Sequence, residues 1–274
     1  MMIGCCVNML PPTRLAGAEY SKELAAAGYD YVEMPMYSLS RLSEAEFREA
    51  EDILVKSGIA IPVCNQFMTG EYKIAGPKEI LTPVNVLTEY MDRAFERVGK
   101  NGLGVRIVVF GSPWSRKCPE GWEKDTALEQ VKEFLRTASV YAEKHGITIA
   151  IENNNRTETN IMNRMEDVFD MVRRVDSPLV KALFDYYHVR FEGDDPAAEF
   201  RDGAELIVHT HISKLNNRDW FTDLSGEESY VIRYADILRE ADYEGGISME
   251  APVGEKDLKN LIHKTIPVLK RIFK

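Results

Sequence analysis

The chain has 274 residues, 45% of them hydrophobic and 28% charged, with 34 basic and 44 acidic side chains for a formal net charge of −10. That composition is enough to bury a core without staples and fits one eight-fold barrel or two small domains. The acidic balance argues against a protein held to nucleic acid by overall charge, and no run of 18 apolar residues suggests a membrane span. The four cysteines, Cys5, Cys6, Cys64 and Cys118, form no CxxC pair, and they read as buried reduced thiols. Residues Met1 to Asn8 lack the basic region of a secretion signal, so a cytoplasmic location is expected.

Eight short apolar runs follow in order: Ile3–Val7, Tyr31–Met34, Ile61–Cys64, Val105–Phe110, Thr148–Ile151, Val180–Phe184, Leu206–Ile212 and Gly246–Met249. Each lacks strict polar alternation, as strands buried on both faces of a parallel sheet do. Helical patterns lie between them. Ser43-Glu-Ala-Glu46 has the form of a capping box. Leu128, Val131, Leu135, Ala138 and Ala142 make one apolar stripe that should stop at Gly146. Asn163 with Glu166 suggests another helix start, and Tyr230–Ala241 and Asp257–Phe273 close the series. Strict alternation without a linker predicts one domain over residues 1–274, of the (β/α)8 TIM barrel type. Asn8-Met-Leu-Pro-Pro after the first run, in place of GxGxxG, argues against a dinucleotide fold.

In such a barrel the site forms at the C-terminal ends of the strands. Glu33, Glu152, Asp185 and Glu250 each stand at or just after an apolar run, and His209 and His211 lie in the seventh. A carboxylate there is costly unless partnered, so several at one barrel end point to a shared cation rather than to an acidic ring of salt bridges. Glu152, Asp185, His211 and Glu250, from consecutive strands, form a mostly hard ligand set for one divalent ion: Mn²⁺ first, with Mg²⁺, Co²⁺ or Zn²⁺ also compatible. His209 and His211 point the same way along a strand, and His211 is preferred as ligand because it lies nearer the strand's C-terminal end. His145 and His263 read as structural or surface residues. Trp114, Trp122 and Trp220 in loops offer either ring-stacking platforms for a sugar or loop packing. Arg116, Arg156, Arg190, Lys214 and Arg218 could meet an anionic substrate, but no Gly-rich phosphate cradle follows strands seven and eight, so a neutral substrate is favoured.

Ala150-Ile-Glu152-Asn, Phe184-Asp185-Tyr-Tyr-His188, His209-Thr-His211-Ile-Ser and Ser248-Met-Glu250-Ala-Pro, in that order, resemble the xylose isomerase-like barrels, and among them the ketose 3-epimerases. The resemblance is dense from Ala150 to Val253. It implies metal ligation by Glu152, Asp185, His211 and Glu250, with Glu152 and Glu250 also carrying protons. It implies substrate contacts by Glu158, His188 and Arg218. The segment from Phe110 to Arg116, with Trp114 and Arg116, resembles a loop found in several sugar isomerase-like groups and adds these two as candidate substrate contacts. The expected reaction is epimerisation of a small ketose at carbon 3: a cation on the carbonyl and neighbouring hydroxyl favours loss of the intervening proton to a cis-enediolate, and two carboxylates take and return it. Aldose–ketose or hydroxypyruvate-type isomerisation and polyol dehydration would use the same site. A three-zinc endonuclease of the same superfamily fits poorly with five histidines, and the complete ligand set speaks against a non-catalytic sugar-binding barrel. The expected partner is a small sugar, not nucleic acid or membrane, and a homo-oligomer is compatible with the sequence.

Overall fold

The computed structural model describes residues 1–274, and its eight strands close into a parallel barrel in chain order. They are β1 (Met2–Cys6), β2 (Tyr31–Pro35), β3 (Ala60–Asn65), β4 (Ile107–Phe110), β5 (Thr148–Glu152), β6 (Val180–Asp185), β7 (Ile207–Ile212) and β8 (Gly246–Met249). β8 returns to β1 with Met2 opposite Gly246 and Cys5 opposite Met249. The eight apolar runs correspond one to one with these strands, shifted by at most two residues at an end.

Inside the barrel sits a small layer of Tyr31, Val63, Val109, Ala150 and Leu183. A larger shell of 75 buried apolar residues fills the space between barrel and helices. Gly4 is required by this packing: a Cβ there would lie 2.1 Å from the Tyr31 ring, which crosses the barrel interior. Among the helices, Glu44–Ser57 begins with the expected capping box, Ser43 Oγ accepting from the Glu46 N–H while Glu46 accepts from the Ser43 N–H. Lys124–His145 buries Val131, Leu135, Ala138 and Ala142 and ends at Gly146. Glu228–Glu240 and Leu258–Phe273 complete the outer layer.

One helix start differs from expectation. The helix Met165–Val175 has Asp167, not Glu166, accepting from the Asn163 and Arg164 N–H groups. The Asn163 side chain instead donates to the Asn154 and Thr159 carbonyls and ties down the loop after β5. Short extra helices at Met36–Arg41, Pro113–Arg116, Tyr186–Glu192 and Pro196–Arg201 raise the count beyond one helix per strand. All four cysteines are buried and unpaired. No helix is long and apolar enough to cross a membrane.

Candidate active site

Glu152 and Asp185 end β5 and β6, His211 is the penultimate residue of β7, Glu250 is the first after β8, and the four converge. In register, Asp185 lies opposite His211, and His211 opposite Ser248, two residues before Glu250. Glu152, Asp185, His211 and Glu250 are all buried, and one ligand atom from each falls within 4.8 Å of the others. His211 Nδ1 is 2.9 Å from Glu152 Oε1, 3.3 Å from Glu250 Oε2 and 4.0 Å from Asp185 Oδ2. Asp185 Oδ2 is buried without a hydrogen-bond partner. A buried carboxylate oxygen left bare is costly, and a cation among these four groups would satisfy it. Three carboxylates and one imidazole so arranged fit a divalent ion.

The electrostatics pull the two glutamates apart. Burial raises the Glu152 carboxyl above its ordinary range, only partly offset by His211. Burial would raise Glu250 too, but the charges of His211 and Arg218 outweigh it and hold Glu250 well below that range. His211 itself, despite burial, is raised well above its ordinary value by Glu33.

Arg218 comes from the loop after β7. Its guanidinium reaches Glu250 Oε2 at 2.6 Å, Glu158 Oε1 at 3.5 Å and Asp185 Oδ2 at 3.8 Å, and packs 4.9 Å from the centre of the Tyr187 ring. Asn217 and Arg218 both have left-handed backbone, φ 57° and 48°. Two consecutive non-glycine residues there store strain that the surrounding contacts must hold. His188 Nδ1 accepts from the Asn155 side chain at 2.9 Å, because Asn155 Oδ1 already accepts from Thr157. The hydrogen-bond network therefore assigns the proton to Nε2, which faces the site 3.6 Å from Asp185 Oδ2.

A cavity of about 320 Å³ opens above these groups. Glu152, Glu250, Glu158, His188 and Arg218 line one side. The other side is uncharged, with Asn8, Asn65, Gln66, Thr69, Ser112 and Trp114 prominent. Trp114 lines the cavity while 55% exposed, and Lys117 Nζ lies 4.9 Å from the centre of its ring. Arg116 is not among the lining side chains. It is fully buried, donating to the Glu152 carbonyl and to Asn154 Oδ1, both at 2.8 Å. Its part is therefore to fasten the loop after β4 to the end of β5, at Glu152. Trp220 is also buried, its indole N–H donating to the Pro252 carbonyl, which is loop packing.

Several residues escaped the sequence reading. Asn154 bridges Arg116 and Glu152, accepting from the first through Oδ1 and donating to Glu152 Oε2 through its amide, which packs 3.3 Å from His188 Nε2. The run Asn153-Asn-Asn155 directly after a strand-end glutamate was the available signal. Gly111 closes against Glu152: a Cβ would lie 2.1 Å from Glu152 Oε2. Glu33, the middle residue of β2 and given no task in the sequence, accepts from both histidines of β7. The other basic side chains are spent on internal partners: Arg156 on Glu192, Lys214 on Asp223, and Arg190 3.6 Å from Glu227.

Comparison with known proteins agrees with the geometry. A family profile described as xylose isomerase-like TIM barrel matches residues 21–272. The D-psicose 3-epimerase of Ruminiclostridium cellulolyticum is 24% identical over 233 residues, covering 84% of this chain and 76% of the relative. The L-ribulose 3-epimerase of a Methylomonas species is 23% identical over 230 residues, covering 83% and 75%. These relatives are isomerase-class enzymes. A crystal structure of D-psicose 3-epimerase in the presence of D-fructose superposes with a TM-score of 0.85 over 100% of this chain and 99% of that one, at 17% identity. Barrel, strand order and profile together place this chain in the xylose isomerase-like TIM barrel family.

Proposed function

We propose that this protein is a divalent-metal-dependent sugar epimerase that inverts carbon 3 of a small ketose. The observation that carries the proposal is the ring of Glu152, Asp185, His211 and Glu250 at the floor of a sugar-sized cavity, with two of its carboxylates lining that cavity. The 3-epimerase names of the similar proteins support the same reading.

Glu152, Asp185, His211 (through Nδ1) and Glu250 would hold the ion, with Mn²⁺ the best match to this donor set. Bound there, a divalent cation draws charge from a ketone oxygen and its neighbouring hydroxyl and so acidifies the hydrogen on the carbon bearing that hydroxyl. Glu152 and Glu250 come from strands separated by β6 and β7, so they approach a ligand from two sides. One takes the C3 proton, the other delivers a proton to the opposite face, and the configuration inverts. His188 offers its Nε2–H, and Arg218 its guanidinium, to substrate oxygens. Glu158 accepts from a hydroxyl and steadies Arg218. The uncharged opposite wall and the internally paired basic residues favour a neutral polyol end over a phosphate.

The test is a panel of ketoses (D-psicose, D-fructose, D-tagatose, L-ribulose) and a 3-keto-D-glucoside, each incubated with Mn²⁺-loaded protein. A C3 epimer of at least one ketose is expected. Aldose products, or a dehydrated product, would replace this reading with isomerisation or dehydration, and turnover of the glucoside alone would move the reaction to carbon 4.

A further inference from the structure

Directly beneath the ligand ring lies a second cluster that the reaction above does not use. Tyr31, Glu33, His209 and Ser248 are all completely buried. Glu33 Oε1 is 2.9 Å from His211 Nε2. Glu33 Oε2 accepts from Ser248 Oγ at 2.6 Å and from His209 Nε2 at 2.8 Å. Ser248 Oγ is in turn 2.8 Å from the Tyr31 hydroxyl. Since the Ser248 proton goes to Glu33, the tyrosine donates to Ser248. His209 Nδ1 has no partner, as expected of a neutral ring whose single N–H is on Nε2.

We propose that Glu33 is a positioning residue for the metal centre, holding the His211 ring in one tautomer and one orientation. The inference rests on the metal-centre reading given above. A carboxylate without a proton can only accept, so its contact requires the His211 proton on Nε2. The ring's other nitrogen, Nδ1, faces Glu152, Asp185 and Glu250, and with Nε2 held by Glu33 it is the nitrogen that would give its lone pair to a cation bound among those three carboxylates. Glu33 is on the opposite side of the imidazole from those three carboxylates and both its oxygens are engaged, so it completes the ring from behind. Its own orientation is over-determined by two further donors, and a free carboxylate at that depth would be expensive. Carboxylates behind metal-bound imidazoles fix the ring and raise its basicity, and their removal costs about 10–100-fold in affinity. His209 thus has a task as well: it is the donor, one layer down, that keeps Glu33 turned toward His211.

The test is a titration of metal-free protein with Mn²⁺, the free ion counted by its electron paramagnetic resonance signal. The wild type is expected to bind one Mn²⁺ per chain. Glu33→Gln should weaken binding by about 10–100-fold, Ser248→Ala by a smaller factor, and Glu33→Asp, which keeps the charge, should recover part of the loss. At saturating Mn²⁺ the KM for the ketose should stay within twofold of wild type. If Glu33→Gln does not fold, Ser248→Ala, which removes one donor and no charge, decides. Unchanged Mn²⁺ affinity in the folded variants overturns the proposal and leaves the metal centre standing. Two Mn²⁺ per wild-type chain, one lost in Glu33→Gln, overturns it by making Glu33 a ligand. No Mn²⁺ bound by the wild type overturns both the proposal and the metal-centre reading.

Discussion

Arg218 donates to Glu250 across 2.6 Å, from a loop whose backbone is left-handed at the arginine itself. This contact neutralises one of three clustered carboxylates from the open side of the site. It also places a fixed positive charge beside the position a divalent cation would take.

Arg218→Gln should therefore separate two properties. Metal affinity should rise about fivefold, because removal of a like charge a few ångströms away is worth roughly 1 kcal/mol after screening. Turnover should fall because a substrate-orienting donor is gone. Isothermal titration with Mn²⁺ and initial rates on the active ketose would check the two halves.

Glu152→Gln and Glu250→Gln should each cut turnover by about 10³-fold, the range expected for loss of a general acid or base, with a further loss at limiting metal. Steady-state rates measured at saturating Mn²⁺ isolate the proton-transfer effect. Full activity in both variants would end the two-carboxylate account.

Gly111→Ala should inactivate without unfolding. The added methyl meets Glu152 Oε2, the far end of a side chain, so the carboxylate yields rather than the backbone. Mn²⁺ affinity should fall about tenfold or more, as when a ligand is displaced, while the thermal midpoint of the metal-free protein moves by only a few degrees.

Arg116→Met should destabilise instead. It strips two short hydrogen bonds from buried acceptors and removes a buried charge near Glu152 and Glu158. A loss of about 3 kcal/mol in denaturant unfolding is expected.

Mn²⁺ at 100 times its Kd should stabilise the wild type by about 2.7 kcal/mol. The gain should shrink toward pH 5, since protons compete for the same carboxylates and imidazole. Thermal unfolding with and without chelator at two pH values would measure it.

The barrel, and the gathering of Glu152, Asp185, His211 and Glu250 at one end of it, were legible because burial on both faces leaves a plain trace: apolar runs, with an acid or a histidine at the end of the last four. The preference for His211 over His209 came from strand position alone; both rings contact Glu33, and only His211 also reaches Glu152 and Glu250. Arg116 misled because sequence shows an arginine in a site loop but not its direction. Its guanidinium turns inward because the Glu152 carbonyl and Asn154 need a donor there. Glu33 was visible as an acid beside an apolar run, and the structure places it mid-strand in β2, where its contacts are with residues 176 and 178 positions away, which no local pattern encodes. Asn163 looked like a helix cap, but the loop after β5 had the stronger claim on its side chain.

The most direct test of the central claim is deuterium incorporation. Metal-free protein is reloaded with Mn²⁺ in D₂O and incubated with the ketose panel, and the sugars are examined by NMR. Deuterium entering at carbon 3, together with the C3 epimer, abolished by chelator and by Glu152→Gln, is the predicted result. Absence of deuterium from every ketose, or incorporation that survives removal of the metal, would contradict the assignment.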